Sequence, residues 1–539
     1  MKKITFISIL LILTAIISNI FLDYYIIPKR LTRIDQSQHF YDMKKWYESG
    51  KLPVTSARFI ASQVVNDELT TPRVPGGAYY IFYTLFYKLA SESLMGAKII
   101  NCIFSLLLIS IFLIWVYKKF GVFITSILTP LIICNGYFVM ASTDFWNPNI
   151  TLLFSFIFLI FLFEYIENSN EVITKVSAVL IFPILAIMAQ GHFVTFFSMI
   201  PTIIVYLALK YKKTIKYILY WSIGVFISFL EYLPYIVSEL KNGFYNTNLI
   251  FAIRSGFGKL PFPQMHAITL FPTNEISVFY GNSLYGSISY WMQYPVVWLG
   301  VLFLFLSVLF SFFCIIRSIY LIVSKKNIID DNRVEYTLIE LVKIFLLFIP
   351  VTIVVNILAK SKPGTFHYLY SAFSISYIPI ILFLYQNKDK ILSSKKYFYS
   401  LSSLVFINIF VMFIQLYIYV SKYEYPRSVV GMEKVADILL ENAGNSEISI
   451  TGVYADDNYM YRDIAVAYFP HKVWNQNNSV TNNMYLIVDK IGTYSKSRES
   501  VSNYFNNYFS NNTKFLGGND VLLVYKFTGS NRFMLPPKK

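Results

Sequence analysis

The chain has 539 residues, of which 56% are hydrophobic, 18% aromatic and only 14% charged, with a formal charge of +16. A soluble domain carries roughly 45–50% apolar and about 25% charged residues, so this composition excludes an ordinary soluble enzyme and points to repeated membrane crossing. The basic residues fall in short clusters between hydrophobic runs, as orientation in a bilayer requires, which argues against a nucleic-acid partner.

The opening MKKITFISILLILTAIISNIFL has a basic start and an apolar core of roughly 18 residues without a small-x-small cleavage site, and reads as a retained first span. Lys2 and Lys3 hold its start in the cytoplasm. A helix needs about 20 apolar residues to cross the hydrocarbon. On that basis spans are predicted near 4–22, 97–117, 121–140, 150–166, 175–190, 193–210, 217–237, 293–316, 337–358, 367–385 and 398–420, roughly eleven in all. The cytoplasmic connections are then YKKFG, EYIENSNEVITK, KYKKTIKY, SKKNIIDDNR and QNKDKILSSKK, and four of these five carry a Lys or Arg cluster. The opposite connections ASTDFWNPN and QGH carry neither residue, so hydropathy and charge agree on the topology. Cys102, Cys134 and Cys314 lie inside hydrophobic runs with no ligand spacing, and read as apolar side chains rather than disulfides or metal ligands.

Residues 1–420 therefore form an all-α polytopic module with large outer loops at 23–95 and 238–292. Residues 421–539 are expected to form a small extracytoplasmic α/β domain. In that tail MEKVADILLENA and SRESVSNYFNNYF have helical patterns, while ISITGVY, MYLIVDK and VLLVYKF read as strands.

Polar residues collect at the outer ends of spans. Asp35, His39 and Asp42 follow the first span, Asp144 lies in ASTDFWNPN, His192 in AQGHFV, and Lys360, Lys362 and His367 in AKSKPGTFHYLY. The middles of the spans are nearly clean, which argues against a proton-coupled transporter with ionisable groups at the midplane. Structural roles compete for the same residues. Asp42, Glu48, Asp67 and Glu68 read as solvated loop acids, and Asn147 with Pro148 reads as the cap and first residue of a helix. Lys360 and Lys362 could be snorkelling anchors, although the positive-inside bias works against cations on this face. Pro75, Gly76 and Gly77 break the chain before an aromatic helix, whose first amides beside Arg73 could hold a phosphate, although PGG is also an ordinary turn.

Asp35, PRVPGGAYY, GAKIINCIFSLL closed by YKKFG, DFWNPN, QGH and FHYLY, in that order and on that side, resemble the C-type (GT-C) membrane glycosyltransferases. More narrowly they are similar to the bacterial branch related to protein O-mannosyltransferases and aminoarabinose transferases, a family-39-like group. The likeness covers residues 1–210 and 355–385, whereas the 238–292 loop and the tail match only in kind. It implies an enzyme of the cytoplasmic membrane that takes a sugar from a polyprenyl-phosphate donor on the outer face and passes it to a lipid, glycan or protein acceptor. Asp35 matches the first-loop catalytic acid, Asp144 an acid of the second outer loop, Arg73 a basic residue before the Pro-Gly stretch, and His367-Tyr368 an Arg/His-Tyr pair. Gln36 stands where many members have a second acid, which leaves the second carboxylate open between Asp42 and Asp144.

On this reading Asp35 and Asp144 are catalytic, and Arg73, Lys360, Lys362 and His367 bind the donor phosphate. His39, Asp42, Trp146, His192 and Tyr368 bind substrate. A lipid-phosphate sugar carries its own activated bond, and Arg or Lys can stabilise the departing phosphate, so no cofactor and no divalent metal is expected. The alternatives are a lipid-linked oligosaccharide polymerase or ligase, expected to use arginines in a large outer loop, and a non-enzymatic transporter. The 238–292 loop has Arg254 as its one arginine, and Glu231, the one acid that could support transport, lies in the outer part of its span.

The topology has a direct test. In a background without the three cysteines, cysteine at Ser37 or Ser255 should react with impermeant thiol reagents from outside, and cysteine at Ser394 should not. The reverse pattern would place Asp35 in the cytoplasm.

Overall fold

The computed structural model describes residues 2–30, 34–59, 71–252, 270–273, 298–324, 332–359, 366–421, 429–443, 449–453, 484–489, 510–518 and 522–528. Among these, eight helices are long and apolar enough to cross a membrane. They are α1 (Lys2–Lys29), α4 (Leu94–Phe120), α7 (Pro148–Glu167), α8 (Glu171–Gly191), α11 (Ile218–Lys241), α13 (Trp298–Val323), α14 (Arg333–Leu358) and α16 (Lys395–Tyr419). A further crossing is a bent pair, α5 (Val122–Ile133) and α6 (Gly136–Thr143), which meet at 64°. Asn135 fills the break, its side chain accepting the Tyr137 amide and so starting α6 afresh. The remaining two predicted runs coincide with shorter pieces, Phe193–Leu209 and a 3₁₀ stretch that leads into α15 (Ile378–Ser393). The chain is a multi-pass membrane protein.

Helix α7 is the central post. It is buried along most of its length and packs against α4, α6, α8 and α14. Aromatic side chains fill these seams, with Phe112 against Phe156 and Phe156 against Phe373. Helices α8 and α11 approach closely because Gly224 has no side chain: a Cβ there would lie 2.4 Å from the Val179 carbonyl oxygen. By contrast α11 and α13 turn Phe226, Phe229, Phe305 and Phe312 outward, as a lipid-facing surface requires.

Charged groups gather at the two ends of the bundle. At one end Lys119 bridges Glu164 at 2.9 Å and Glu167 at 2.6 Å, and Glu340 holds Lys210 and Lys343. Lys213 donates to the carbonyls of Tyr165 and Ile166, satisfying the end of α7. Lys119, Glu164, Glu167, Lys210 and Lys213 come from connections that the positive-inside pattern assigns to the cytoplasm, and Glu340 and Lys343 stand in the first turns of the span beside them. The opposite end holds Asp144 and the elements of the first loop. Those are α2 (Ile34–Ser49), the aromatic helix α3 (Ala78–Leu89), and a two-stranded sheet of β1 (Thr55–Arg58) and β2 (Arg73–Pro75) that the sequence pattern does not announce.

The tail contains α17 (Val429–Ala443) and a four-stranded sheet of order β3-β4-β6-β5. Its strands β3 (Ser449–Val453), β4 (Met484–Asp489) and β6 (Leu522–Phe527) match the three expected ones, while β5 (Thr513–Gly518) is additional. The expected helix SRESVSNYFNNYF lies outside the described residues. Helix α17 packs against β5 and β6 and also reaches α1.

Candidate active site

Asp144 closes α6 and is completely buried. Its Oδ2 accepts from Arg30 Nε at 3.0 Å and from Gln36 Nε2 at 2.9 Å, while Lys98 Nζ pairs with Oδ1 at 3.2 Å. A carboxylate without water needs such partners, because desolvation otherwise outweighs any attraction it gains. The Asn101 amide ties down the same corner by donating to the carbonyls of Ala141 and Ser142. Pro148 begins α7 as the WNPN motif suggests, but Asn147 does not cap it. Its side-chain amide instead donates to the Gly191 carbonyl at 2.8 Å, joining the start of α7 to the end of α8.

Asp42 corrects an expectation. It is buried, not solvated, because two arginines of the β1–β2 pair close on it. Arg73 donates to both carboxylate oxygens at 2.7 and 3.0 Å, Arg58 does so at 3.1 and 3.3 Å, and the Tyr80 hydroxyl adds a contact at 3.3 Å. Burial alone would raise this carboxyl, but the two guanidiniums overrule it and hold Asp42 far below the usual carboxylate range.

The Gly76-Gly77 turn beside Arg73 is already occupied. The Ala78 amide at the start of α3 donates to Gln190 Oε1 at 3.0 Å. A Cβ at Gly77 would lie 1.8 Å from the Pro53 carbonyl oxygen, and Gly76 has φ +87° with the Gln190 side chain against it. The glycines let α3 pack closely, and the first amide of the helix faces a glutamine.

Asp35 differs from both other acids. It is half-buried in the first turn of α2, and among the described residues it pairs with no cation. Its one hydrogen bond is accepted from the Trp146 indole at 3.2 Å. Trp146 in turn meets His367 edge-on with ring centroids 4.7 Å apart, His367 meets His192 at 4.9 Å, and His192 meets Tyr368 at 5.2 Å. Burial pushes the His192 imidazole well down, so it is neutral. Three segments distant in sequence therefore form one aromatic wall beside Asp35. His39 lies one turn after Asp35, buried, with Tyr79 edge-on at 5.3 Å.

Of the expected site residues, Asp35, His39, Asp42, Asp144, Trp146, His192, His367, Tyr368 and Arg73 all stand at this end of the bundle. Lys360 and Lys362 lie outside the described residues. Sequence reasoning missed Arg30, Gln36, Arg58, Lys98 and Gln190. Lys98 and Arg30 carried a usable signal, since both are cations at span ends where the charge bias disfavours them. No three histidine, cysteine, aspartate or glutamate side chains among the described residues stand together as a metal-ligand group.

No protein-family model and no curated protein matches this sequence. Solved structures do. ArnT from Cupriavidus metallidurans bound to undecaprenyl phosphate is similar with a TM-score of 0.52 at 9% identity, over 96% of this chain and 98% of that one. The Archaeoglobus fulgidus oligosaccharyltransferase, tethered to an acceptor peptide containing the NVT sequon, is similar with a TM-score of 0.50 at 10% identity, over 90% of this chain and 69% of that one. At such identities the likeness defines the fold. The chain has the GT-C fold of these membrane glycosyltransferases, with a small C-terminal sheet domain.

Asp42 generates a stability prediction. Asp42→Asn leaves two arginines facing a neutral amide and should cost about 3–5 kcal/mol, read as a lower unfolding temperature or lost folded yield in detergent. Because the folded carboxyl is held below its unfolded value, its contribution is present in full above the unfolded pKa and disappears as pH falls through the folded one. The wild type should lose this contribution only in strong acid, and unchanged stability in the variant would contradict the arrangement.

Proposed function

We propose that this chain is a membrane glycosyltransferase that moves a sugar from a polyprenyl-phosphate donor to an acceptor on the outer face of the cytoplasmic membrane. Asp35 is the catalytic base. The observation that carries this reading is the contrast among the three acids: Asp42 and Asp144 are each buried against two cations, whereas Asp35 is half-buried and, among the described residues, meets only an indole N–H. A base must keep a lone pair open toward the acceptor, and Asp35 is the carboxylate of this cluster so placed.

In the reaction the acceptor O–H bond breaks toward an Asp35 oxygen. The acceptor oxygen forms a bond to the anomeric carbon, and the bond from that carbon to the phosphate oxygen breaks, releasing polyprenyl phosphate with the electron pair. The departing phosphate needs fixed positive charge. Arg30 and Lys98 around Asp144, and Arg58 and Arg73 around Asp42, supply two cations for each acid, so each group carries a net positive charge. Arg73 is the one of these with the more exposed side chain, and it remains the first candidate for the phosphate. His367, and Lys360 and Lys362 beyond the described residues, are further candidates. Trp146, His192, His367 and Tyr368 offer flat faces against which a sugar ring stacks. No cofactor or metal is required, and the tail forms an extracytoplasmic domain beside the site.

Full-length protein in nanodiscs, assayed with a panel of undecaprenyl-phosphate-linked sugars, tests this. Asp35→Asn should remain folded and lose about 10²–10⁴ in turnover, the share of a general base. A chelator should leave the wild type active. A fully active Asp35→Asn would end the assignment of the base, and restoration of a chelator-inhibited enzyme by a divalent ion would end the metal-free chemistry.

A further inference from the structure

His39 is a buried titratable group that the proposed reaction leaves unused. It is 4% exposed, and among the described residues neither ring nitrogen has a partner at full hydrogen-bonding geometry, although the Asn147 side chain lies close enough to interact with the ring. An orphaned imidazole in a packed interior costs free energy and calls for an explanation. The Asn147 amide nitrogen donates to the Gly191 carbonyl, and Tyr79 meets the imidazole in a T-shaped contact, its own hydroxyl also buried without a partner among the described residues. His39 follows Asp35 by four residues on the same helix, which sets the two side chains on one face about 5–6 Å apart at Cβ.

The groups that face His39 come from four elements. They are Asp35 and Asp42 on α2, Tyr79 on α3, Asp144 at the end of α6 and Asn147 at the start of α7. Burial favours the neutral imidazole, and the three carboxylates oppose it, Asp35 most strongly. Asp42 and Asp144 are each covered by two cations, whereas Asp35 pairs with none among the described residues. A neutral imidazole beside it, with a free lone pair, is a proton acceptor waiting for a donor.

We propose that His39 holds the proton that Asp35 takes from the acceptor. The inference rests on Asp35 being the base. Once the acceptor O–H bond has broken toward Asp35, the carboxylic acid passes that proton to the lone pair of a His39 nitrogen, giving an imidazolium and restoring the carboxylate. The imidazolium adds positive charge while polyprenyl phosphate is still bound, and the proton returns through Asp35 to solvent after the products leave. His39 acts through Asp35 and touches neither donor nor acceptor, so it is a positioning residue.

The test uses the full-length protein with ring-labelled histidine in nanodiscs. The His39 signal among the five histidines is identified by its loss in His39→Gln, or in His39→Asn where the glutamine does not fold. In the wild type His39 should titrate below the ordinary histidine value, and in Asp35→Asn lower still by about one to two pH units, as loss of a unit charge at this separation requires. His192 should be unmoved. An unchanged or raised His39 titration in Asp35→Asn overturns the proposal whatever the enzyme's activity. With a donor turned over by the wild type, His39→Gln should lower kcat about a hundredfold, the lower end for an aligned proton acceptor, and leave the donor KM unchanged. Wild-type kcat in His39→Gln overturns the proposal while leaving Asp35 as base, whereas an active Asp35→Asn removes the reading beneath it.

Discussion

The arrangement of this protein depends on a carboxylate that has no water. Asp144 draws together the end of α1 through Arg30, the start of α2 through Gln36 and the start of α4 through Lys98. None of these groups is stable alone in an apolar bundle, and each is satisfied only when the others are in place. That mutual requirement fixes where the first loop leaves the membrane. It thereby fixes where α2 begins and where Asp35 stands. The energy of the ion pairs is a weak argument for stability, but their specificity is a strong one, because one misplaced helix would strand several buried charges.

The second anchor repeats the device. Asp42 is held by Arg58 and Arg73 from a short strand pair, so α2 is fastened at both ends of its first two turns. Asp35 lies within that fastened segment, and among the described residues its carboxylate meets only Trp146. Three acids within one cluster thus have two different roles. Two are buried against paired cations, and the third, among the described residues, meets only the indole of the aromatic wall. The resulting field suits an anionic donor and a nucleophilic acceptor together, which is what transfer from a lipid phosphate demands.

The spans were readable from hydropathy because that signal is local. The gathering of Asp35, Asp144, His192 and His367 at one end followed from counting crossings. What could not be read was pairing. Asp42 looked like a solvated acid because its partners lie 16 and 31 residues away on strands too short for a period-two pattern. Lys98 and Arg30 were overlooked because a cation at a span end reads as an anchor until its buried carboxylate is seen. Asn147 shows the same limit from the other side. Its sequence context fits a helix cap, yet tertiary geometry gives its amide to Gly191.

The central claim is that a polyprenyl-phosphate sugar binds at the Asp144 end with its anomeric carbon facing residue 35. The most direct measurement is a cryo-EM map of the full-length Asp35→Asn protein in nanodiscs with an undecaprenyl-phosphate-linked sugar. The account predicts the sugar against Trp146 and His367, its anomeric carbon toward the residue-35 side chain, and the phosphate among the cations that surround Asp42 and Asp144. A phosphate seated at the opposite end, among Lys119, Lys210 and Lys213, would contradict it.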